Sequence, residues 1–111
     1  MQHLTRDNFY HETAGSTLPV VVMFYASWCP KCAMMKPIVR NIEKGQKKRI
    51  HFFEVDVDES PELSAKYDTS TVPAFWFFQN GEPVGVMQGV ISEATFLYRL
   101  KKIFRNSWLS E

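Results

Sequence analysis

Six consecutive apolar residues, Val20-Val21-Val22-Met23-Phe24-Tyr25, limit what this chain can fold into more than any other segment. A strand with one wet face alternates apolar and polar side chains. This run does not alternate, so it predicts a strand buried on both faces. Such a strand needs packed layers above and below its sheet, which selects an α/β architecture. With 111 residues and 45% hydrophobic side chains, the chain suits one domain over 1–111 with one core.

The neighbouring segments supply the layers. Gln2 to Leu4 read as a short extended start, and Thr5-Arg6-Asp7-Asn8 as the cap of a brief helix through about Thr13. Gly15 to Leu18 form a turn into the apolar run. Ala33 to about Lys48 has helical composition, with Met34, Ile38, Val39 and Ile42 on one stripe and Pro37 predicting a kink. Ile50 to Val57 returns to strand composition, and Glu59-Ser60-Pro61-Glu62 opens a short helix ending near Tyr67. Ala74 to Phe78 and Val84 to Gln88 flank Gln79-Asn80-Gly81-Glu82, whose Asn-Gly predicts a tight hairpin. A last helix runs from about Ser92 to Phe104, with Phe96, Leu100, Ile103 and Phe104 at helical spacing.

Thirteen basic and twelve acidic side chains leave a formal charge of +1, which offers no electrostatic footprint for nucleic acid or an anionic membrane surface. The basic run from Lys44 to Arg49 is broken by Gly45, has no interleaved aromatics and reads as the solvated end of a helix. Charges interrupt Met1 to Gly15, where a signal peptide would need an apolar stretch, and no run has the length of a membrane span. The expected location is cytoplasmic. In a reducing compartment, paired cysteines are more often catalytic or metal-bound than structural.

Cys29 and Cys32, within Trp28-Cys29-Pro30-Lys31-Cys32, are the only cysteines. A zinc site would need further ligands. His3, His11 and His51 are scattered, so no metal site is expected. A structural disulfide across so short a loop would remove little chain entropy, because that entropy grows with loop length. A reactive dithiol fits better. After a buried strand, Cys29 falls at a helix N-cap and Pro30 at the first helical position, where no amide hydrogen is needed. Unpaired N–H groups and the positive end of the helix dipole then favour the Cys29 thiolate. Cys32, one turn later, is within reach of an intramolecular disulfide. Cys29 is thus the attacking sulfur and Cys32 the resolving one, and such a couple needs no bound cofactor.

These residues resemble the thioredoxin family, from His3-Leu4-Thr5 to the last helix. Trp28-Cys29-x-x-Cys32 follows a buried strand, Pro37 stands five residues beyond the second cysteine, and Thr71-Val72-Pro73 precedes a strand. Asn80-Gly81 and Gly89 follow in family order. The resemblance implies the α/β thioredoxin fold, a mixed five-stranded sheet in the order 1-3-2-4-5 flanked by four helices. It implies thiol–disulfide exchange on protein substrates, with thioredoxin reductase or a similar electron donor. It also implies a cis bond before Pro73, exposing the Val72 backbone to an extended substrate. Trp28, Val72, Pro73 and Gly89 would make the apolar docking patch, which a side chain at Gly89 would crowd; Gly89 also reads as a turn before the final helix, and both readings can hold. A monomer is expected.

Two positions depart from the family pattern. The usual Gly-Pro between the cysteines is Pro30-Lys31, closer to glutaredoxins and periplasmic oxidants, and Lys31 adds a cation beside the attacking sulfur. Both changes stabilise the thiolate, and a more stable reduced form makes a more oxidising couple. Met23 stands where family members bury an aspartate that helps deprotonate the resolving thiol. Glu54, a carboxylate in the apolar Phe52-Phe53-Glu54-Val55, is the candidate substitute, or else an outward strand residue. Glutaredoxin itself is disfavoured, because no Gly-Gly pair follows Pro73; Gly85 and Gly89 stand four apart. The expected function is reduction of protein disulfides. Its rivals are a redox-silent binding module, opposed by the retained cysteines, and an oxidant or isomerase for exported proteins, favoured by Pro30-Lys31.

Overall fold

A computed structural model describes residues 1–105. Along the chain come β1 (Gln2–Leu4), α1 (Phe9–Ala14), β2 (Val20–Tyr25), α2 (Pro30–Gly45), β3 (His51–Asp56), α3 (Pro61–Lys66), β4 (Ala74–Gln79), β5 (Glu82–Gln88) and α4 (Glu93–Ile103). The sheet order is β1-β3-β2-β4-β5, with β1, β3 and β2 parallel and β4 antiparallel to both β2 and β5. This is the mixed five-stranded sheet in the expected order.

Every residue of β2 is buried, as the absence of alternation requires. Val21, Met23 and Tyr25 join the layer shared with α2 and α4, whereas Val20, Val22 and Phe24 join the layer containing Phe9 of α1 and Leu63 of α3. Aromatic rings fill both layers. Phe9 meets Phe24, Tyr67 and Phe78 with ring centroids 6.4, 5.4 and 6.0 Å away. On the other side Phe96 meets Phe75 edge-on at 5.0 Å, and Phe104 meets Phe77 at 5.8 Å. Such pairs contribute ~0.5–1.5 kcal/mol each beyond the area they bury.

The α2 stripe needs a correction. Its inward residues are Cys32, Met35, Val39 and Ile42, while Met34 is 58% exposed. The cause is the starting point: Cys32 itself belongs to the inner face, and helical steps of three and four from it reach Met35 rather than Met34. The helix also stops at Gly45, short of Lys48, where glycine's low helix propensity ends the run. Pro37 lies within it, at an exposed position, and brings no N–H for the helical bond to Ala33. At the hairpin, Asn80 and Gly81 both take positive φ, 55° and 79°, the backbone that a two-residue primed turn demands.

At the sheet edge, His3 of β1 lies between two carboxylates, with Nδ1 3.2 Å from Glu54 Oε2 and Nε2 2.6 Å from Glu59 Oε1. The hydrogen bond to Glu59 is the main reason its pKa rises above 6.5; that to Glu54 adds to it, while partial burial opposes it. A cation whose pKa is higher in the folded state stabilises that state fully below the unfolded value and less as pH rises through the folded one. The clasp's contribution is therefore complete below about pH 6.5 and fades above it. His3→Gln should flatten this part of the pH–stability curve, read as urea midpoints at pH 6 and pH 8.5. Phe96→Ala, which removes the ring packed on Phe75 and Phe77, should cost ~3–5 kcal/mol of unfolding free energy in denaturant titration.

Candidate active site

Strand β2 ends at Tyr25, and a short turn, closed by the Cys29 N–H donating to the Ala26 carbonyl at 3.3 Å, carries the chain into α2. Cys29 has extended backbone, φ −96° and ψ 108°, and caps the helix, with Pro30 at its start. The Cys32 N–H donates to Cys29 Sγ at 3.1 Å. One of the unpaired amides of the first turn thus falls on sulfur, as the sequence predicts. Lys31 and Pro30 are exposed on that same turn.

The two sulfurs are unbridged and differ in setting. Cys29 keeps 6% exposure, Cys32 only 1%. Burial, first of all, and then the hydrogen bond with Cys29 push the Cys32 thiol up to about 12, against the opposing pull of a backbone bond at Ala26 and the Lys36 charge. Near neutral pH Cys32 keeps its proton, and it must lose that proton before it can attack.

The Val72–Pro73 peptide is cis. The Val72 carbonyl lies 3.7 Å from Cys29 Sγ and accepts from the thiol, and the Gly89 N–H donates to the Pro73 carbonyl at 2.9 Å. Cys29, Val72, Pro73 and Gly89 are thereby brought together. At Gly89 a Cβ would meet nothing of this chain within 4 Å, and φ is +85°. The left-handed backbone by itself favours glycine there. Beside them Trp28 is 67% exposed and its indole N–H donates to Asp58 Oδ2 at 2.7 Å. A groove of about 330 Å³ separates Trp28 from Val72, with Asp58 and Thr69 in its wall.

Glu54 is not brought to the cysteines. It pairs in register with Met23, on the same side of the sheet, but its Oε2 accepts from the Tyr25 hydroxyl at 3.2 Å and meets His3. The cavity beside the sulfurs, about 300 Å³, is lined by Tyr25, Cys29, Cys32, Lys36 and Asp56, without Glu54. Lys36 Nζ sits 3.5 Å from the centre of the Tyr25 ring. Sequence reasoning passed over Lys36, Asp56 and Asp58. The signals were there: Lys36 follows Cys32 at the i+4 spacing of one helix face, and Asp56 follows Glu54 at the period-two spacing of one strand face.

Among the described residues, no three or more His, Cys, Asp or Glu side chains gather to hold a metal ion. No described helix is long and apolar enough to cross a membrane. Residues 1–102 match the family model described as Thioredoxin. A thioredoxin-like protein of Synechocystis is 35% identical over 85% of this chain and 90% of its own length. A thioredoxin of Rickettsia bellii is 36% identical over 72% of this chain and 76% of its own. The bifunctional thioredoxin reductase/thioredoxin of Mycobacterium leprae is 30% identical over 93% of this chain, which spans 22% of that longer protein. Likeness along nearly the whole chain agrees with the sheet order and the cysteine pair at the helix start: the chain belongs to the thioredoxin family and is a thiol–disulfide oxidoreductase.

Proposed function

We propose that the protein is a single-domain, monomeric reductase of protein disulfides, working in a reducing compartment such as the cytoplasm. The observation that carries this reading is the unlike setting of the two sulfurs: Cys29 accepts an amide at the helix start, while Cys32 is enclosed and keeps its proton. The Cys29 thiolate attacks a substrate disulfide; that S–S bond breaks, one substrate sulfur leaves as a thiol, and Cys29 is joined to the other. Cys32 then gives up its proton and attacks Cys29 Sγ. The second substrate thiol departs and the Cys29–Cys32 disulfide remains. Two electrons have passed to the substrate, and no resident cofactor is needed.

Trp28, Val72, Pro73 and Gly89 form the docking surface, with the Val72 backbone pairing with an extended segment around the substrate cysteine. Thioredoxin reductase, or a similar donor, returns the electrons; the relative in which the two activities share one chain supports that partner. Pro30 and Lys31 bias the couple toward the reduced form by favouring the thiolate.

In insulin reduction driven by dithiothreitol, Cys29→Ser should fall to the uncatalysed rate and Cys32→Ser should accumulate a mixed disulfide. Undiminished turnover by Cys29→Ser would overturn the mechanism and leave the fold as a binding module. Equilibration with glutathione should give a reduction potential less negative than the accepted thioredoxin reference of about −270 mV. A value at or below that reference would remove the assigned influence of Pro30-Lys31.

A further inference from the structure

The exchange chemistry requires a proton to leave Cys32, and the position beneath the dithiol where family members carry a carboxylate holds Met23, fully buried among apolar neighbours. Another group must receive that proton. Glu54, nearest in sequence logic, is engaged by Tyr25 and His3 and lies outside the cavity that Cys32 lines. The parallel register explains the difference. Met23 pairs with Glu54 and Tyr25 with Asp56, so Asp56 stands one pleat nearer the strand ends, where α2 begins.

Asp56 is half-buried, lines the cavity with Cys29 and Cys32, and shares its wall with Lys36. Its Oδ1 accepts from the N–H groups of Asp58 at 2.9 Å and Glu59 at 3.4 Å. Both bonds fall on one oxygen, so the turn does not occupy Oδ2. A cavity of about 300 Å³ with Ser27, Lys36 and Asp56 among its lining residues is roomy enough for water to bridge the carboxylate and the thiol. We propose that Asp56 takes the Cys32 proton, directly or through water in this cavity, as Cys32 attacks the mixed disulfide, with Lys36 steadying the negative charge that passes. The proposal rests on the dithiol-exchange reading.

The step balances. The S–H proton moves to the Asp56 carboxylate, a lone pair of the resulting Cys32 thiolate forms the new bond to Cys29 Sγ, and the bond between Cys29 and the substrate sulfur breaks. The substrate leaves as a thiolate, and Asp56 returns its proton to solvent. The titratable groups around Asp56 are Tyr25 from β2, Cys29, Cys32 and Lys36 from the start of α2, and Glu54, Asp58 and Glu59 from its own strand and the turn beyond.

A bis(nitrobenzoate) disulfide separates the two steps in one stopped-flow trace, because attack by Cys29 releases one coloured thiolate and attack by Cys32 releases the second. Asp56→Asn keeps an oxygen to accept the turn's N–H bonds but cannot take a proton. In this variant the second phase should slow at least about tenfold at pH 7, toward the hundredfold that a positioned base supplies. Its rate should then climb with hydroxide more steeply than in the unaltered protein. A second phase within about twofold of the unaltered rate between pH 6 and 9, or one slowed by Glu54→Gln instead, overturns the proposal. Should Asp56→Asn lose its native circular dichroism, Lys36→Met, which leaves the turn intact, should slow the same phase; an unchanged phase there overturns it equally. Loss of the first phase, or its survival in Cys29→Ser, would instead tell against the exchange reading itself.

Discussion

The enclosure of β2 on both faces governs the rest of the molecule. With all of its side chains inside, the backbone can leave the sheet only past Tyr25, and the helix that follows must start where the strand stops. In a parallel arrangement the ends of β2 and β3 lie together, so the start of α2, the last side chains of both strands and the loop before β4 converge on one rim. The cysteine pair occupies that rim, where the first turn of α2 offers amides without helical partners and one of them, that of Cys32, falls on the Cys29 sulfur. Chemistry and stability thus share one cause.

Much of this can be read in the sequence, and the misses have identifiable physics. Val20 to Tyr25 reveal themselves by lacking alternation, and the Asn80-Gly81 hairpin by its need for positive φ. Cys29 as cap and Pro30 as first helical residue follow from what each backbone can donate. Periodicity failed at Met34 because a stripe has a spacing but no origin, and the origin came from Cys32 turning inward. The partners of Glu54 were hidden for another reason. They come from β1 and β2, which the expected sheet order already sets beside β3, but the register that brings His3 and Tyr25 to Glu54 is not written in local pattern.

The acids at 54, 56 and 58 show how far position along one segment decides chemistry. Glu54 faces the sheet edge and fastens β1 through His3. Asp56 holds the turn with one oxygen while lining the sulfur cavity. Asp58, beyond the strand, reaches the indole of Trp28. Alternation by two keeps the first pair on one face, yet one pleat of displacement separates an edge clasp from the rim where the dithiol sits. A scan for buried acids in sequence does not distinguish these fates, because all three flank apolar residues.

The hydrogen bond from Trp28 to Asp58 carries a further consequence. An exposed indole on a rim turn would ordinarily sample several rotamers, and an incoming chain would have to still it. Fastened at its nitrogen, the ring presents one apolar face in one orientation before anything arrives. Recognition at this rim therefore starts from a preset plate rather than a swinging one, so the entropy of fixing a large side chain is settled during folding and is not charged again at each encounter.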